Sequence, residues 1–266
     1  MLGAILGDII GSRFEFSPLR KIKTEKFELF GVEQDDCHFT DDTILTIATA
    51  DSIINNKTFA ETYNYWGNKY PESSYGMRFR DWLTSENKNP YNSFGNGSAM
   101  RVSPVGWLYN DLYTVLDQAE KSAIVTHNHI EGIKGASAIA CAIYLARYNT
   151  PKKIIKEILE TYFGYDLNKT IEMIRPTYDF NETCQGSVPE SIICFLEGNN
   201  YEDVIRKAIS LGGDTDTQAC IAGSIAEAYY GLDDLKLNYD IYGKIGYYLP
   251  DDMIKIIKQF QNKISK

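Results

Sequence analysis

The segment Leu211–Gly231, LGGDTDTQACIAGSIAEAYYG, decides how the rest of the chain is read. It opens on two glycines, which let a backbone turn tightly or approach a ligand. Asp214, Thr215, Asp216 and Thr217 follow, and behind them runs a small-residue apolar stretch of about four helical turns. Acidic and hydroxyl side chains suit a helix start, where free N–H groups and the helix dipole favour carboxylates. Ala219, Ala222, Gly223, Ala226 and Ala228 keep the helix thin, so neighbours can pack close. Alone, the segment reads as a capped helix with a spare acid. A second cluster, Phe39-Thr40-Asp41-Asp42-Thr43, stands far upstream and again precedes a helical run. Two such clusters can converge on a hard cation. Their oxygens suit Mg²⁺ or Mn²⁺ rather than zinc, and four carboxylates can hold two ions.

The 266 residues suffice for one large domain or two small ones. A net charge of −9 argues against a nucleic-acid backbone as the main partner, but not against a nucleotide-sized ligand held by local donors. The five cysteines are scattered without a CxxC pair and read as buried thiols of a reducing compartment. The apolar N-terminus MLGAILGDIIG is too short to span a bilayer, carries Asp8 and lacks a basic flank. The expectation is a cytoplasmic protein without a membrane anchor.

Gly3, Gly7 and Gly11 recur every fourth residue, a face for close helix packing. Ser17-Pro18 stops that helix, and residues 19–38 read as a loop. Helical spacing recurs over 43–55, 59–70, 111–125, 130–148, 152–162, 188–197, 201–211, 241–249 and 251–265. Residues 71–100 show no clear period and read as a functional loop. With no alternating strands, repeat or linker, the chain reads as all-α, a single domain over 1–266.

Four segments, LGAILGDIIGSRFEF, FTDDT, GNGSAMR and LGGDTDT, in this order, resemble the ADP-ribosylglycohydrolase family; THNHIEGIKGA and TCQGSVPES resemble it more weakly. The resemblance implies a compact bundle of orthogonally packed helices, two Mg²⁺ or Mn²⁺ ions, and hydrolysis of the bond between C1″ of ADP-ribose and an acceptor. It implies that Thr40, Asp41 and Asp42 form one metal cluster and Asp214, Asp216 and Thr217 the other, with Asp41, Asp42 and Asp216 serving catalysis through the ions. Glu15 matches a glutamate that acts as general base or orients the distal ribose. Ser93, Phe94, Gly95, Asn96, Gly97 and Ser98 match a loop for diphosphate and ribose, and His127 matches a histidine of the substrate cleft. Two neighbouring ions can bind ribose hydroxyls and lower the pKa of a bridging water.

Other residues carry plainer expectations. Thr43 and Thr215 read as local hydrogen-bonding groups, Asp51 as a solvated acid, His129 as structural, and Cys184 and Glu190 as packing and capping residues. Asp8 reads equally as a buried structural acid or a ligand. Arg101 reads as an anchor for a carboxylate. Glu227 stands where the family commonly has a small residue, a departure that touches only helix packing. A prenyl-diphosphate enzyme would want further acids along the first cluster's helix, yet none lies between Asp42 and Asp51. An HD-type phosphohydrolase lacks its His-Asp pair. A non-catalytic ADP-ribose reader would be expected to have lost an acid, and every matched acid is present. The expected partner is an ADP-ribosylated substrate or a small ADP-ribose conjugate, with nucleic acid only as a modified substrate, no membrane, and a monomeric state. The acceptor is not readable; residues 17–36 and 71–95 are expected to frame the cleft mouth.

Overall fold

The computed structural model describes residues 1–16, 23–31 and 37–265. Ser17-Pro18 and much of the 17–36 segment lie outside the described residues. In order, the helices are α1 (Leu2–Glu15), α2 (Asp41–Asn55), α3 (Phe59–Lys69), α4 (Met77–Thr84), α5 (Gly97–Met100), α6 (Ser103–Leu108), α7 (Leu112–Ile124) and α8 (Ile130–Arg147). They continue with α9 (Lys152–Phe163), α10 (Ile171–Ile174), α11 (Cys184–Glu197), α12 (Tyr201–Ser210), α13 (Thr215–Tyr230), α14 (Asp233–Asn238), α15 (Ile241–Tyr248) and α16 (Asp251–Ile264). Among the described residues the only β pairing is an isolated bridge between Gly95 and Thr183. The expected all-α class holds.

The centre of the bundle is the pair α1 and α13. A Cβ on Gly7 would lie 2.2 Å from the Ala219 carbonyl oxygen, one on Gly11 2.6 Å from Asp216 Cα, and one on Gly3 2.5 Å from the Gly223 oxygen. The glycine face of α1 therefore lies directly on the small-residue backbone of α13. Both helices are buried along nearly their whole length, as expected for helices apolar on every side. This contact carries Asp8 and Glu15, two turns apart on α1, to the acidic start of α13.

Glu227 has a larger role than packing. Its carboxylate reaches across to the start of α1, accepting hydrogen bonds from Leu2 N–H at 3.2 Å and Gly3 N–H at 2.8 Å. It satisfies donors that the first turn of any helix leaves open.

Four other expectations need correction. Residues 71–100 contain α4, where Phe79, Trp82 and Leu83 are buried at helical spacing. The helix expected from Val188 starts at Cys184, capped by the Thr183 hydroxyl, and carries Pro189 in its interior. Asp51 is buried rather than solvated: it accepts from Trp66 Nε1 at 3.0 Å and Asn55 Nδ2 at 2.7 Å, and pairs with Lys57 at 3.1 Å. Arg101 is fully buried, but among the described residues it holds no carboxylate; its Nη2 donates to the Ser122 carbonyl and to Thr126 Oγ1. All five cysteines are buried. No helix among the described residues is long and apolar enough to cross a membrane.

Candidate active site

The site is assembled where the starts of α2 and α13 meet the face of α1. Thr40 caps α2, its hydroxyl accepting from Asp42 N–H at 3.3 Å. Asp8, fully buried, reaches from α1 to the same turn. It accepts from Thr40 N–H (3.0 Å), Thr40 Oγ1 (2.7 Å), Thr43 N–H (3.1 Å) and Thr43 Oγ1. Thr43 is thus the local hydrogen-bonding group expected of it, and Thr215 likewise donates to the Gly11 carbonyl. On the other side, Gly212 and Gly213 adopt positive φ angles of 76° and 81°, which turn the chain into α13. Asp214 occupies the cap position of α13, yet its carboxylate makes no capping hydrogen bond. It accepts instead from Asn96 Nδ2 at 2.7 Å. A side chain spent on capping would not be turned that way.

The carboxylates gather in two groups. One oxygen each from Asp8, Asp42 and Asp216 lie within 4.8 Å of one another, as do oxygens from Glu15, Asp214 and Asp216. Asp216 belongs to both. Asp42 Oδ2 accepts from Thr217 Oγ1 (3.1 Å), which ties α2 to α13, and lies 3.3 Å from Thr40 Oγ1, whose one proton goes to Asp8. Asp42 Oδ1 and Asp216 Oδ1 are buried and have no hydrogen-bond partner. Asp41 stands outside both groups, its Oδ1 accepting from Ser74 Oγ at 2.8 Å. Among the described residues no lysine or arginine forms an ion pair with any of these six acids. Buried oxygen-only donors, two of them orphaned and with no neutralising side chain, fit hard divalent cations. Asp8, Asp42 and Asp216 would hold one ion, and Glu15, Asp214 and Asp216 a second.

The electrostatics agree. Burial, reinforced by the neighbouring carboxylates, pushes Asp8 and Asp41 up to about 6 and Glu15 up to about 8. The same causes hold Asp42 and Asp216 well above the carboxylate range, and burial raises Asp214. Unfolded, these groups titrate near pH ~4. Between that value and the folded ones the native state binds more protons than the unfolded chain. The stability they contribute is therefore complete below pH ~4 and is lost as pH rises through the folded values. We expect the melting temperature of chelator-treated protein to fall between pH 5 and pH 8, and saturating Mn²⁺ to flatten or reverse that slope in a fluorimetric melt. Parallel profiles with and without the ion would contradict the cation site.

The loop 93–98 borders this cluster. It is pinned by Asn96 N–H to the Glu182 carbonyl (2.8 Å), Cys184 N–H to the Phe94 carbonyl (2.9 Å) and Cys184 Sγ to the Gly95 carbonyl (3.0 Å). Ser93 Oγ accepts from Gly95 N–H, shaping the turn. Asn96 also donates to Ser187 Oγ, so its amide orients Asp214. Ser98 is fully buried and its hydroxyl donates to the Gly132 carbonyl at 2.7 Å. In the first turn of α5, Ala99 N–H and Met100 N–H donate to the Asn96 carbonyl, at 2.8 and 3.0 Å, whereas the N–H groups of Gly97 and Ser98 have no helical acceptor. Phe94 is exposed, with its ring 5.4 Å from that of His129. His129 caps α8, accepting from Glu131 N–H, so it is structural as expected. His127 is buried against the loop: its Nε2 lies 3.2 Å from where a Cβ of Gly97 would sit. Cys184 packs behind the loop, whereas Glu190 lies inside α11 with Oε2 unpartnered and caps nothing.

Sequence reasoning missed Ser74, the partner of Asp41, and the orienting role of Asn96. No periodicity marks Ser74; the only signal for Asn96 is its place beside two glycines. A cavity of about 530 Å³ opens beside the cluster, lined by Glu15, Phe16, His38, Phe39, Tyr70 and Ser74, among others.

Among the described residues, then, an all-helical fold turns a glycine-rich loop onto a buried acid cluster. The sequence profile of the ADP-ribosylglycohydrolase family matches residues 1–262, and the chain belongs to that family. It is 27% identical to human ADP-ribosylhydrolase ARH3, over 88% of this chain and 85% of that protein. The zebrafish (Danio rerio) ADP-ribosylhydrolase ARH3 is 25% identical over 91% of this chain and 84% of its own length. An uncharacterised protein of Archaeoglobus fulgidus is 26% identical, covering 86% of this chain and 85% of that one. A solved structure described as an ADP-ribosylglycohydrolase-related protein complex matches with a TM-score of 0.71 over 99% of this chain and 95% of that chain; at 20% identity it bears on the fold alone.

Proposed function

We propose that the chain acts as one domain that hydrolyses the bond between C1″ of ADP-ribose and an acceptor, using two divalent ions, Mg²⁺ or Mn²⁺. The observation that carries this reading is Asp216, shared by both acid groups and left with a buried, unpartnered oxygen. When bound, the ions supply Lewis acidity, positioning of ribose hydroxyls and acidification of water. The chain's own residues do the rest. Thr217 orients Asp42, Asn96 orients Asp214, and Asp41 offers a carboxylate at the rim. The N–H groups of Gly97 and Ser98 receive the diphosphate, Phe94 offers an open ring face to base or sugar, and His127 contacts the ligand from below the loop. Water adds its oxygen to C1″ as the bond to the acceptor breaks, through a transition state of oxocarbenium character. The acceptor leaves with a proton.

Glu15 is suited to that proton. Before ions bind, burial and Asp214 lift its carboxyl to about 8, so near neutral pH it carries a proton that it can give up to the reaction or to an arriving ion. Glu15→Gln is expected to lower kcat by about 10² to 10³-fold and to leave the ADP-ribose Kd within about threefold. Single-turnover release together with calorimetric binding checks this. Equal losses of binding and rate would make Glu15 a positioning residue. We place the protein in the cytoplasm, as a monomer acting on ADP-ribosylated proteins or small conjugates; the free buried thiols of Cys141, Cys184, Cys194 and Cys220 support a reducing compartment.

A further inference from the structure

Behind His127 runs a buried hydrogen-bonded chain. Arg101 Nη2 donates to Thr126 Oγ1 at 2.9 Å, and Thr126 Oγ1 lies 2.7 Å from His127 Nδ1. Both Arg101 and Thr126 are fully buried. The guanidinium is further fixed by the Ser122 carbonyl and by the Tyr63 ring, 4.1 Å from its carbon.

A threonine hydroxyl has one proton and two lone pairs, whereas a guanidinium can only donate. Arg101 therefore occupies a lone pair of Thr126 and leaves the hydroxyl proton to be placed. The acceptor in line is His127 Nδ1. Were Nδ1 itself protonated, Thr126 would accept twice and bury its own proton without this partner, which is costly. Tyr91 is the other polar neighbour of Thr126; as a hydroxyl it can donate to Oγ1 and need not receive its proton. The remaining ring nitrogen, Nε2, has no hydrogen-bond partner among the described residues. It faces the backbone of Gly95 and Gly97, 3.6 and 3.2 Å from where their Cβ atoms would be.

We propose that Arg101 and Thr126 are positioning residues that fix His127 as the neutral Nε2–H tautomer, so that Nε2 donates a hydrogen bond to a phosphate oxygen of the ligand on the 93–98 loop. The ligand half of this proposal rests on the ADP-ribose reading; the tautomer half does not. Burial and the positive charges of Arg101 and Arg78 hold the imidazole neutral, well below its ordinary pKa. A neutral donor suits a site that already concentrates carboxylates, because it recognises phosphate without pairing with the acids that serve the ions.

The chain has three histidines, His38, His127 and His129, so long-range ¹H–¹⁵N correlation spectra of the Mg²⁺-loaded protein can be assigned by single substitutions. The wild type should show His127 as Nε2–H at neutral pH without ligand. Thr126→Val should abolish that signature and raise the ADP-ribose Kd about tenfold, the weight of one lost hydrogen bond. Thr126→Ser should restore both, and Tyr91→Phe should leave the tautomer unchanged. An Nδ1–H tautomer in the wild type, or an unchanged one in Thr126→Val, would overturn the relay, and the wild-type spectrum decides this even if a variant fails to fold. Absence of ADP-ribose binding by the wild type would instead overturn the functional reading, while the tautomer spectrum still judges the relay.

Discussion

Asp216→Asn is expected to lower kcat/KM by about a thousandfold or more and, at the same time, to raise the melting temperature of the chelator-treated protein. The two effects have one cause. Asp216 is the carboxylate common to both acid groups, so losing its charge weakens both cation positions together. Without ions the same carboxyl group, once pH rises far enough to ionise it, becomes a buried charge facing Asp42, Asp214, Glu15 and Asp8. Asparagine keeps its shape and removes that repulsion. The opposite signs separate this outcome from unfolding, which would lower activity and melting temperature together. Asp51→Asn is the matched control. Asp51 is also a buried acid, but it serves Trp66 and Lys57 far along α2. Its loss should lower the melting temperature and leave turnover of the folded fraction intact. Steady-state rates and melts with and without Mn²⁺ measure both variants.

The second large effect is on folding. Gly7→Ala is expected to destabilise the protein by about 3 kcal/mol or more, a large share of the whole stability of a domain. The new methyl would sit 2.2 Å from the Ala219 oxygen and 2.8 Å from Cys220 N, both backbone atoms that cannot swing aside. Relief requires α1 and α13 to separate, which also parts Asp8 and Glu15 from Asp216. Gly246→Ala, in α15, is the contrast: nothing lies within 4 Å of its Cβ position. There the ordinary helix preference of alanine should add about 0.5–1 kcal/mol. Urea titration of both variants tests the pair.

The glycine spacing of α1 and the small residues of Leu211–Gly231 were legible because close helix contact demands them wherever it occurs. The two Asp/Thr clusters were legible for a related reason, since helix starts and hard cations both call for oxygen-rich side chains. What escaped were groups whose role depends on a distant partner. Asp51 looked like a solvated acid because nothing local reveals Trp66 Nε1 beside it. Glu227 looked like a packing defect because the helix start it caps lies at the other end of the chain. Helix α4 was hidden by its length, eight residues, too few for its apolar spacing to stand out. Pro189 concealed the true start of α11 because proline ordinarily marks a first turn.

The central claim is that this acid cluster, loaded with divalent ions, cleaves an ADP-ribosyl bond. Its most direct test is release of free ADP-ribose from arginine-linked, serine-linked, nucleobase-linked and 1″-phosphate conjugates, each with Mg²⁺, with Mn²⁺ and with chelator. Release from at least one conjugate that chelator abolishes and added ion restores is the predicted result, and it names the acceptor. Undiminished release in chelator, or ADP-ribose binding without release from any conjugate, would contradict the account.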